Sequence, residues 1–273
     1  MSRIGEAFAR LRREGRRGFV PFITAGDPDL ETTRALIVEL ARSGATAVEL
    51  GVPFSDPVAD GPTIQRASER ALRHGFGVAE VLAAVASARR QTEVPVVLFS
   101  YFNPLLQFGV ERLAAEGRAS GVDGVLVTDL VPEESAEFNA ALGRHGLDQI
   151  FLVAPTSGDA RLRLAAERAG GFVYAVSRAG VTGARAEHSA EAERLVSRVR
   201  AVTDLPVAVG FGVSTREQVA DVWRYADAAV VGSALVAEVE RLSGAENLVE
   251  KVGEFARALL PGEGAATPPG GLD

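Results

Sequence analysis

The sequence ATAVELGV at residues 45–52 passes directly into PFSDPVADGP at residues 53–62. Apart from Thr46 and Glu49, the first run is apolar and does not alternate, which is typical of a parallel strand covered on both faces. The second run cannot extend that strand, because its prolines lack the N–H that a ladder requires. A helical pattern of apolar residues begins at Thr63. The stretch therefore predicts a strand, a loop and a helix, which is the repeating unit of parallel α/β proteins.

The same unit recurs along the chain. Eight apolar runs are predicted as strands: Phe19–Ala25, Ala45–Val52, Pro95–Tyr101, Gly124–Asp129, Gln149–Ala154, Phe172–Ser177, Pro206–Phe211 and Ala228–Gly232. The helical patterns between and after them are Leu30–Arg42, Thr63–Arg73, Val78–Arg90, Val110–Ala119, Glu133–Arg144, Ala160–Ala169, Ala190–Ala201, Thr215–Arg224 and Ala245–Leu260. Strict alternation predicts right-handed βαβ units. Eight units favour a closed (β/α)₈ barrel, the TIM-barrel fold, and leave an open doubly wound sheet as the alternative.

The two ends of the chain add smaller features. Ile4, Phe8 and Leu11 recur at helical spacing and predict a short N-terminal helix. A helix start at Gly232-Ser233 predicts an extra helix near the eighth strand. The length of 273 residues fits one domain, so we expect residues 1–260 to form a single catalytic barrel. Residues 261–273 are rich in Gly, Pro and Ala, and we expect a disordered tail.

Composition excludes several classes of function. The net charge of −7 argues against a nucleic-acid partner, which needs clustered basic residues. No apolar stretch approaches the ~18–20 residues that span a bilayer, so no membrane segment is expected. The chain has no cysteine, which excludes disulfides and thiolate chemistry. The basic start has no apolar run behind it and is not a signal peptide, so we expect a cytoplasmic protein.

Two carboxylates stand out at the strand ends, where such barrels build their active sites. Glu49 lies inside an apolar strand, where an unpaired carboxylate is costly. Its carboxylate is either paired with an arginine or with backbone donors, or it has a pKa tuned for proton transfer. Asp60 lies in the loop after that strand and could face the same opening of the barrel. Alternatively, Asp60 is a turn residue that caps the next helix.

Glycines and rare residues narrow the chemistry further. Glycine-rich ends of strands 6, 7 and 8 favour a phosphate site, because glycine lets backbone N–H groups approach an anion; tight turns are the alternative. The only lysine, Lys251, lies in the last predicted helix, which argues against a Schiff-base mechanism. His74, His145 and His188 show no metal-ligand spacing, so no metal is expected. With Schiff-base and metal mechanisms disfavoured, the sequence favours acid–base catalysis by carboxylates on a phosphorylated substrate.

The strand-end motifs resemble those of one known family, the tryptophan synthase alpha subunits. The resemblance covers about residues 5 to 260, and its most specific part is the fourteen-residue motif Glu49–Pro62. The segment Ala184–His188 does not match closely. The other motifs that carry the resemblance are Val20–Pro28, Ser177–Gly183, Gly210-Phe211-Gly212 and Gly232-Ser233.

The resemblance implies a lyase that cleaves indole-3-glycerol phosphate to indole and glyceraldehyde 3-phosphate by a retro-aldol reaction, in the last steps of L-tryptophan biosynthesis. It implies that Glu49 transfers protons, that Asp60 accepts from the indole N–H, and that Tyr174 lies near the glycerol hydroxyls; a buried core tyrosine is the alternative. Thr182 would close over the substrate and contact Asp60. The implied indole slot is Phe22, Ile64, Phe99, Leu126 and Phe211, and the implied phosphate site is Gly183, Gly212, Gly232 and Ser233.

The resemblance also implies a partner. Members of the family work as an α₂β₂ complex, in which indole passes to a beta subunit that uses pyridoxal phosphate (PLP). The loop Pro53–Pro57 would face that subunit, and no cofactor is expected in this chain. Two alternatives stay open: a free-standing lyase without a beta partner, and a catalytically weak regulatory subunit. Intact Glu49 and Asp60 argue against the second.

Overall fold

Eight parallel strands close into a barrel. A computed structural model of the chain describes residues 2–176, 185–210 and 212–262, without the side chains of residues 185–188. Each strand pairs with the next along the chain and the last pairs with the first. This closure confirms the predicted (β/α)₈ barrel and excludes the open sheet. The strands are β1 Gly18–Thr24, β2 Val48–Gly51, β3 Val96–Ser100, β4 Gly124–Val127, β5 Asp148–Val153, β6 Val173–Val176, β7 Val207–Gly210 and β8 Ala228–Val231.

Twelve α-helices among the described residues cover the barrel. They are α1 Arg3–Arg13, α2 Leu30–Arg42, α3 Pro62–Leu72, α4 Val78–Ala88, α5 Phe102–Phe108, α6 Val110–Ser120, α7 Ala136–Arg144, α8 Asp159–Arg168, α9 Arg185–Arg200, α10 Arg216–Trp223, α11 Ser233–Leu242 and α12 Leu248–Leu259. No described helix is both long and apolar enough to cross a bilayer.

The helices differ from the sequence predictions in three places. The short helix α5 was not predicted, because it follows β3 directly and has no turn residue before it. The predicted helix Glu133–Arg144 is a 3₁₀ turn, Pro132–Glu134, followed by α7. Ser135 separates the two, and its hydroxyl donates to the carbonyl of Pro132 at 2.9 Å. The predicted helix Ala190–Ala201 begins earlier, at Arg185. Of the predicted tail, residues 263–273 lie outside the described part of the chain.

Helix α1 closes the N-terminal end of the barrel. Its residues Ile4 and Phe8 are buried in the cluster that fills the barrel interior. The ring of Phe8 lies 5.7 Å from the ring of Phe172, measured between centroids. At Gly124 a side chain would approach the Cδ1 atom of Ile4 to 3.1 Å and that of Ile150 to 2.7 Å, so only glycine leaves room for the helix there. The predicted N-terminal helix is therefore part of the barrel core.

The described strand ends and loops surround a cavity at the opposite, C-terminal end of the barrel, and we call this end the mouth. The interior cluster ends there in a small apolar group that joins the barrel to two helices. Phe22 of β1 packs with Ala67 of α3 and Val236 of α11. The partly buried residues Ile64 and Phe99 complete this group. Helices α3 and α11 thus meet each other over the end of β1.

Phe8→Ala tests whether α1 is an integral part of the core. Because Phe8 is only 5% exposed, its truncation should lower the free energy of unfolding by about 3–5 kcal/mol. Urea unfolding followed by circular dichroism gives this value. Leu106→Ala, at a site that is 50% exposed, is the matched control and should change it by less than about 0.5 kcal/mol. Equal losses in both variants would mean that α1 is only loosely attached.

Candidate active site

A cavity of about 430 Å³ opens at the mouth of the barrel. Strand ends and the loops that follow them form its wall, as expected for a barrel enzyme. This volume accommodates a small organic ligand. The described lining residues are Phe22, Glu49, Ala59, Asp60, Gly61, Pro62, Thr63, Ile64, Phe99, Tyr174, Gly212, Val230, Gly232 and Ser233.

Glu49 lies in the wall of this cavity, on the inner side of β2. Its neighbours in the strand register are Phe22 of β1 and Val97 of β3, both apolar. The residue is 1% exposed, and neither carboxyl oxygen has a hydrogen-bond partner among the described residues. Burial disfavours the charged form and raises the pKa of Glu49 to about 8. The first alternative from the sequence, a Glu satisfied by an arginine or backbone donors, finds no support in the described part of the chain.

Asp60 lines the same cavity from the loop between β2 and α3, two residues before α3 begins. The hydroxyl of Tyr101 donates to its Oδ2 atom at 3.0 Å and accepts from the backbone N–H of Ala59 at 2.9 Å. Burial raises the pKa of Asp60, and the hydrogen bond from Tyr101 opposes that rise. Helix α3 has no side-chain cap, and its N-cap position is Gly61. The carboxyl of Asp60 is therefore held by a tyrosine, and the helix-capping alternative does not apply.

Tyr174 of β6 also lines the cavity. Its hydroxyl occupies the space that a side chain at Gly210 would fill, which explains the glycine at that position of β7. Burial, followed by the negative charge of Glu49, raises the pKa of Tyr174 well above its usual range. The hydroxyl thus stays protonated and lies within electrostatic reach of Glu49.

Aromatic rings form one apolar side of the cavity. The rings of Phe22 and Phe99 meet edge to face, with centroids 5.2 Å apart, and Ile64 of α3 lies beside them. We call these three residues the apolar slot. A side chain at Gly51 would come within 2.6 Å of the Phe22 ring, so glycine is required behind the slot.

Leu126 does not line the cavity, which differs from the sequence-based assignment. It is fully buried and belongs to the interior cluster with Val20, Val97 and Ile150. Its strand was predicted correctly, but its side chain points into the barrel interior. Val230 of β8 and Tyr101 after β3 contribute to the site instead, and the sequence did not single out either one.

Backbone groups at the start of α11 form another part of the cavity wall. Helix α11 begins at Ser233, and within the described ranges no side-chain cap hydrogen bond is made at its N-cap residue Gly232, which leaves the first backbone N–H groups of the helix for a ligand. Gly212 lines the same cavity and has a φ of +77°, which favours glycine. No Arg, Lys or His is among the described lining residues. A helix start of this kind attracts anions through its N–H groups and its dipole.

Three predicted site residues, Thr182, Gly183 and Phe211, lie outside the described residues. Within the described ranges, no group of three or more His, Cys, Asp or Glu side chains is arranged to hold a metal ion. Buried carboxyls, an apolar slot and an uncapped helix start at the mouth of a (β/α)₈ barrel are together the features of an acid–base enzyme. Its substrate would carry an apolar ring and an anionic group.

Comparison with known proteins agrees with this class. A family model described as tryptophan synthase alpha chain matches residues 8–261. The tryptophan synthase alpha chain of Geobacter sulfurreducens is 54% identical over 259 residues, which cover 95% of this chain and 98% of that protein. The one from Geotalea uraniireducens is 52% identical over 262 residues, or 96% and 98% of the two chains. The chain belongs to the tryptophan synthase alpha chain family.

Solved structures give the same result. The crystal structure of tryptophan synthase subunit alpha from Legionella pneumophila matches with a TM-score of 0.88 at 36% identity, covering 95% of this chain and 97% of that one. A chain in a structure of the tryptophan synthase α₂β₂ complex from Pyrococcus furiosus matches with a TM-score of 0.82 at 41% identity, covering 89% and 97%. The chain is therefore a lyase of this family, as the resemblance implied.

Tyr101→Phe tests the electrostatic role of the hydrogen bond to Asp60. Loss of the hydroxyl removes a donor that favours the carboxylate, so the pKa of Asp60 should rise further. The acid limb of the pH profile of kcat/KM should then move to higher pH by roughly 0.5–1 unit. The control is Tyr225→Phe, which removes a hydroxyl that hydrogen-bonds Ser189 away from the cavity. An unshifted limb in Tyr101→Phe would contradict this role.

Proposed function

We propose that this chain cleaves indole-3-glycerol phosphate to indole and glyceraldehyde 3-phosphate. The observation that carries the proposal is the placement of Glu49 and Asp60 around an apolar slot, with the start of α11 in the wall of the same cavity. The substrate has the same three parts: a flat apolar ring, a polar glycerol chain and a terminal phosphate. Residues 1–260 would act as one catalytic domain in the cytoplasm, where the charged substrate is retained.

The reaction requires three separate events at the substrate. A proton is added to C3 of the indole ring, and the bond between C3 and the adjacent glycerol carbon breaks. The hydroxyl on that carbon loses its proton as the aldehyde forms. During these steps positive charge builds up on the indole nitrogen, so an anionic group near that nitrogen lowers the barrier.

Glu49 is suited to both proton transfers. Since its pKa is raised to about 8, the carboxyl is protonated at neutral pH in the free chain and can donate to C3. The resulting carboxylate can then accept the proton of the glycerol hydroxyl, which returns Glu49 to its starting state. A pKa close to the working pH suits a group that must give and take a proton. Tyr174, whose hydroxyl stays protonated nearby, would orient the glycerol hydroxyls.

Asp60 would stabilise the positive charge on the indole nitrogen. The carboxylate accepts hydrogen bonds: Tyr101 donates to its Oδ2 atom, and its Oδ1 atom would accept from the indole N–H. The slot of Phe22, Ile64 and Phe99 would hold the ring, together with Phe211. Gly212, Gly232 and Ser233, together with Gly183, would bind the phosphate through backbone N–H groups. Thr182 would close the site over the substrate and contact Asp60.

Two substitutions test these roles. Glu49→Gln should lower kcat by about 10³-fold, because the amide cannot exchange a proton with the substrate. Asp60→Asn should lower it by roughly 10²-fold, because a neutral amide cannot stabilise the charged nitrogen. Both should still bind indole-3-propanol phosphate, measured by calorimetry. Glu39→Gln on α2, outside the cavity, is the matched control. Near-normal turnover of Glu49→Gln would refute the proton-transfer role.

The rim of the mouth supports the proposal of a beta partner. The large apolar side chains that stand out as exposed among the described residues are Val58, Leu106 and Val131. They follow β2, β3 and β4 respectively, so they lie on one continuous sector of the rim. We infer that this sector, with the loop Pro53–Pro57, docks onto a PLP-containing beta subunit in an α₂β₂ complex. Pyridoxal phosphate would then belong to the partner and not to this chain.

Activation by a beta subunit tests this partner. Indole-3-glycerol phosphate cleavage should rise at least tenfold when a bacterial tryptophan synthase beta subunit is added to the wild-type chain. Leu106→Asp should abolish most of this rise because a charge is desolvated at the apolar rim, and its basal cleavage should remain. Ala115→Asp on the outer face of α6 is the control. Full basal turnover without activation would favour a free-standing lyase, and negligible turnover even with the partner would favour a regulatory subunit.

A further inference from the structure

Four charged side chains join three elements behind the cavity. They are Asp27 in the loop after β1, Arg66 and Arg70 on α3, and Glu240 on α11. Arg70 binds both carboxylate oxygens of Asp27, with N–O distances of 2.8 Å, and reaches Oε1 of Glu240 at 2.7 Å. Arg66 binds both oxygens of Glu240 at 2.8 Å. We call these four residues the ion network.

The ion network is partly shielded from water. Asp27 is 3% exposed, and the side chain of Arg70 is 21% exposed. A buried carboxylate is tolerated only when it is paired, and a two-pronged arginine contact fixes orientation as well as distance. Hydrogen bonds from Arg66 and its charge, together with that of Arg70, lower the pKa of Glu240 to about 2, so this carboxylate stays ionised at working pH. These contacts therefore restrain α3 against α11 and both against β1.

Both helices begin at the cavity. Helix α3 begins at Pro62, two residues after Asp60, and α11 begins at Ser233, in the cavity wall. Arg66 lies one turn further along α3, and Glu240 lies two turns along α11. Beside the network, the same helix interface is apolar, where Ala67 and Val236 pack with Phe22. A shift of α3 along α11 would thus change the distance between Asp60 and the start of α11.

We propose that the ion network is a positioning device that sets the separation between Asp60 and the anion-binding start of α11. Arg70 is its centre, because it alone contacts both Asp27 and Glu240. The inference rests on the proposed function, since it assigns the two ends of one substrate to the two helices. A ligand that spans both ends should depend on the network, whereas a ligand that occupies one end should not.

Glu240→Gln is the sharpest test, because it leaves the pair of Arg70 with the buried Asp27 intact. Binding is measured for indole-3-propanol phosphate, which joins an indole ring to a phosphate, and separately for indole and for inorganic phosphate. The Kd of the joined ligand should rise roughly tenfold, while the Kd of each fragment changes by less than about twofold. The KM for indole-3-glycerol phosphate should rise with the Kd of the joined ligand.

Glu39→Gln provides the matched control. It neutralises an ion pair between α2 and α12, Arg257 to Glu39 at 2.7 Å, on the outside of the barrel. We expect its melting temperature to fall by a similar amount to that of Glu240→Gln. Its affinity for the joined ligand should not fall selectively. Arg66→Gln, at a half-exposed site, is a second variant for the case in which Glu240→Gln does not fold. In this variant the Kd of the joined ligand should rise roughly threefold relative to the Kd of each fragment. The effect is smaller because Arg70 still binds Glu240.

Several results would overturn the proposal. These are an unchanged Kd of the joined ligand in a folded Glu240→Gln or Arg66→Gln variant, an equal loss for all three ligands, or the same selective loss in Glu39→Gln. Failure of the proposed function has a different signature: the wild-type chain would neither cleave indole-3-glycerol phosphate nor bind the joined ligand more tightly than its fragments.

Discussion

The carboxyl group of Glu49 is held inside an apolar strand, and both of its oxygens lack a described hydrogen-bond partner. Its unfolded-state pKa is near 4.5 and its folded-state pKa near 8, so the favourable contribution of the neutral form to stability is fully present below pH 4.5 and is lost as the pH rises through about 8. The barrel tolerates this cost because the other strands and α1 supply a large apolar core around it. The same environment that opposes ionisation gives Glu49 a pKa suited to proton exchange near neutral pH.

The remaining contacts of the site position its side chains. Tyr101 holds Asp60, the glycine at position 51 admits the ring of Phe22, and the glycine at position 210 admits the hydroxyl of Tyr174. Helices α3 and α11 bring the two ends of the cavity together, through an apolar contact near Phe22 and ionic contacts further out. Chemistry at Glu49 and geometry at the helix starts thus depend on different interactions, which separate substitutions can perturb one at a time.

The barrel could be predicted from the sequence because its signals are local. Apolar runs and helical spacing mark each unit, and a carboxylate in the apolar run around Glu49 is an oddity that its own neighbours reveal. No local sequence pattern predicts that Tyr101 and Val230 belong to the site, because their positions there depend on the tilt of the strands and the path of the loops. Leu126 was placed on the correct strand, but its depth in the barrel is set by packing from all eight strands. The contacts of Asp27 with Arg70 join distant segments that no local pattern connects.

The most direct test of this account is the titration of Glu49 in the free chain. Carbon-13 NMR of protein labelled at the glutamate side-chain carboxyl, compared with Glu49→Gln to assign the signal, measures its pKa without any substrate. Because Glu49 is buried, we expect one glutamate signal with a midpoint near pH 8, absent from the variant. A Glu49 signal that titrates near its ordinary value of 4.5 would contradict the claim that burial tunes this carboxyl for proton transfer.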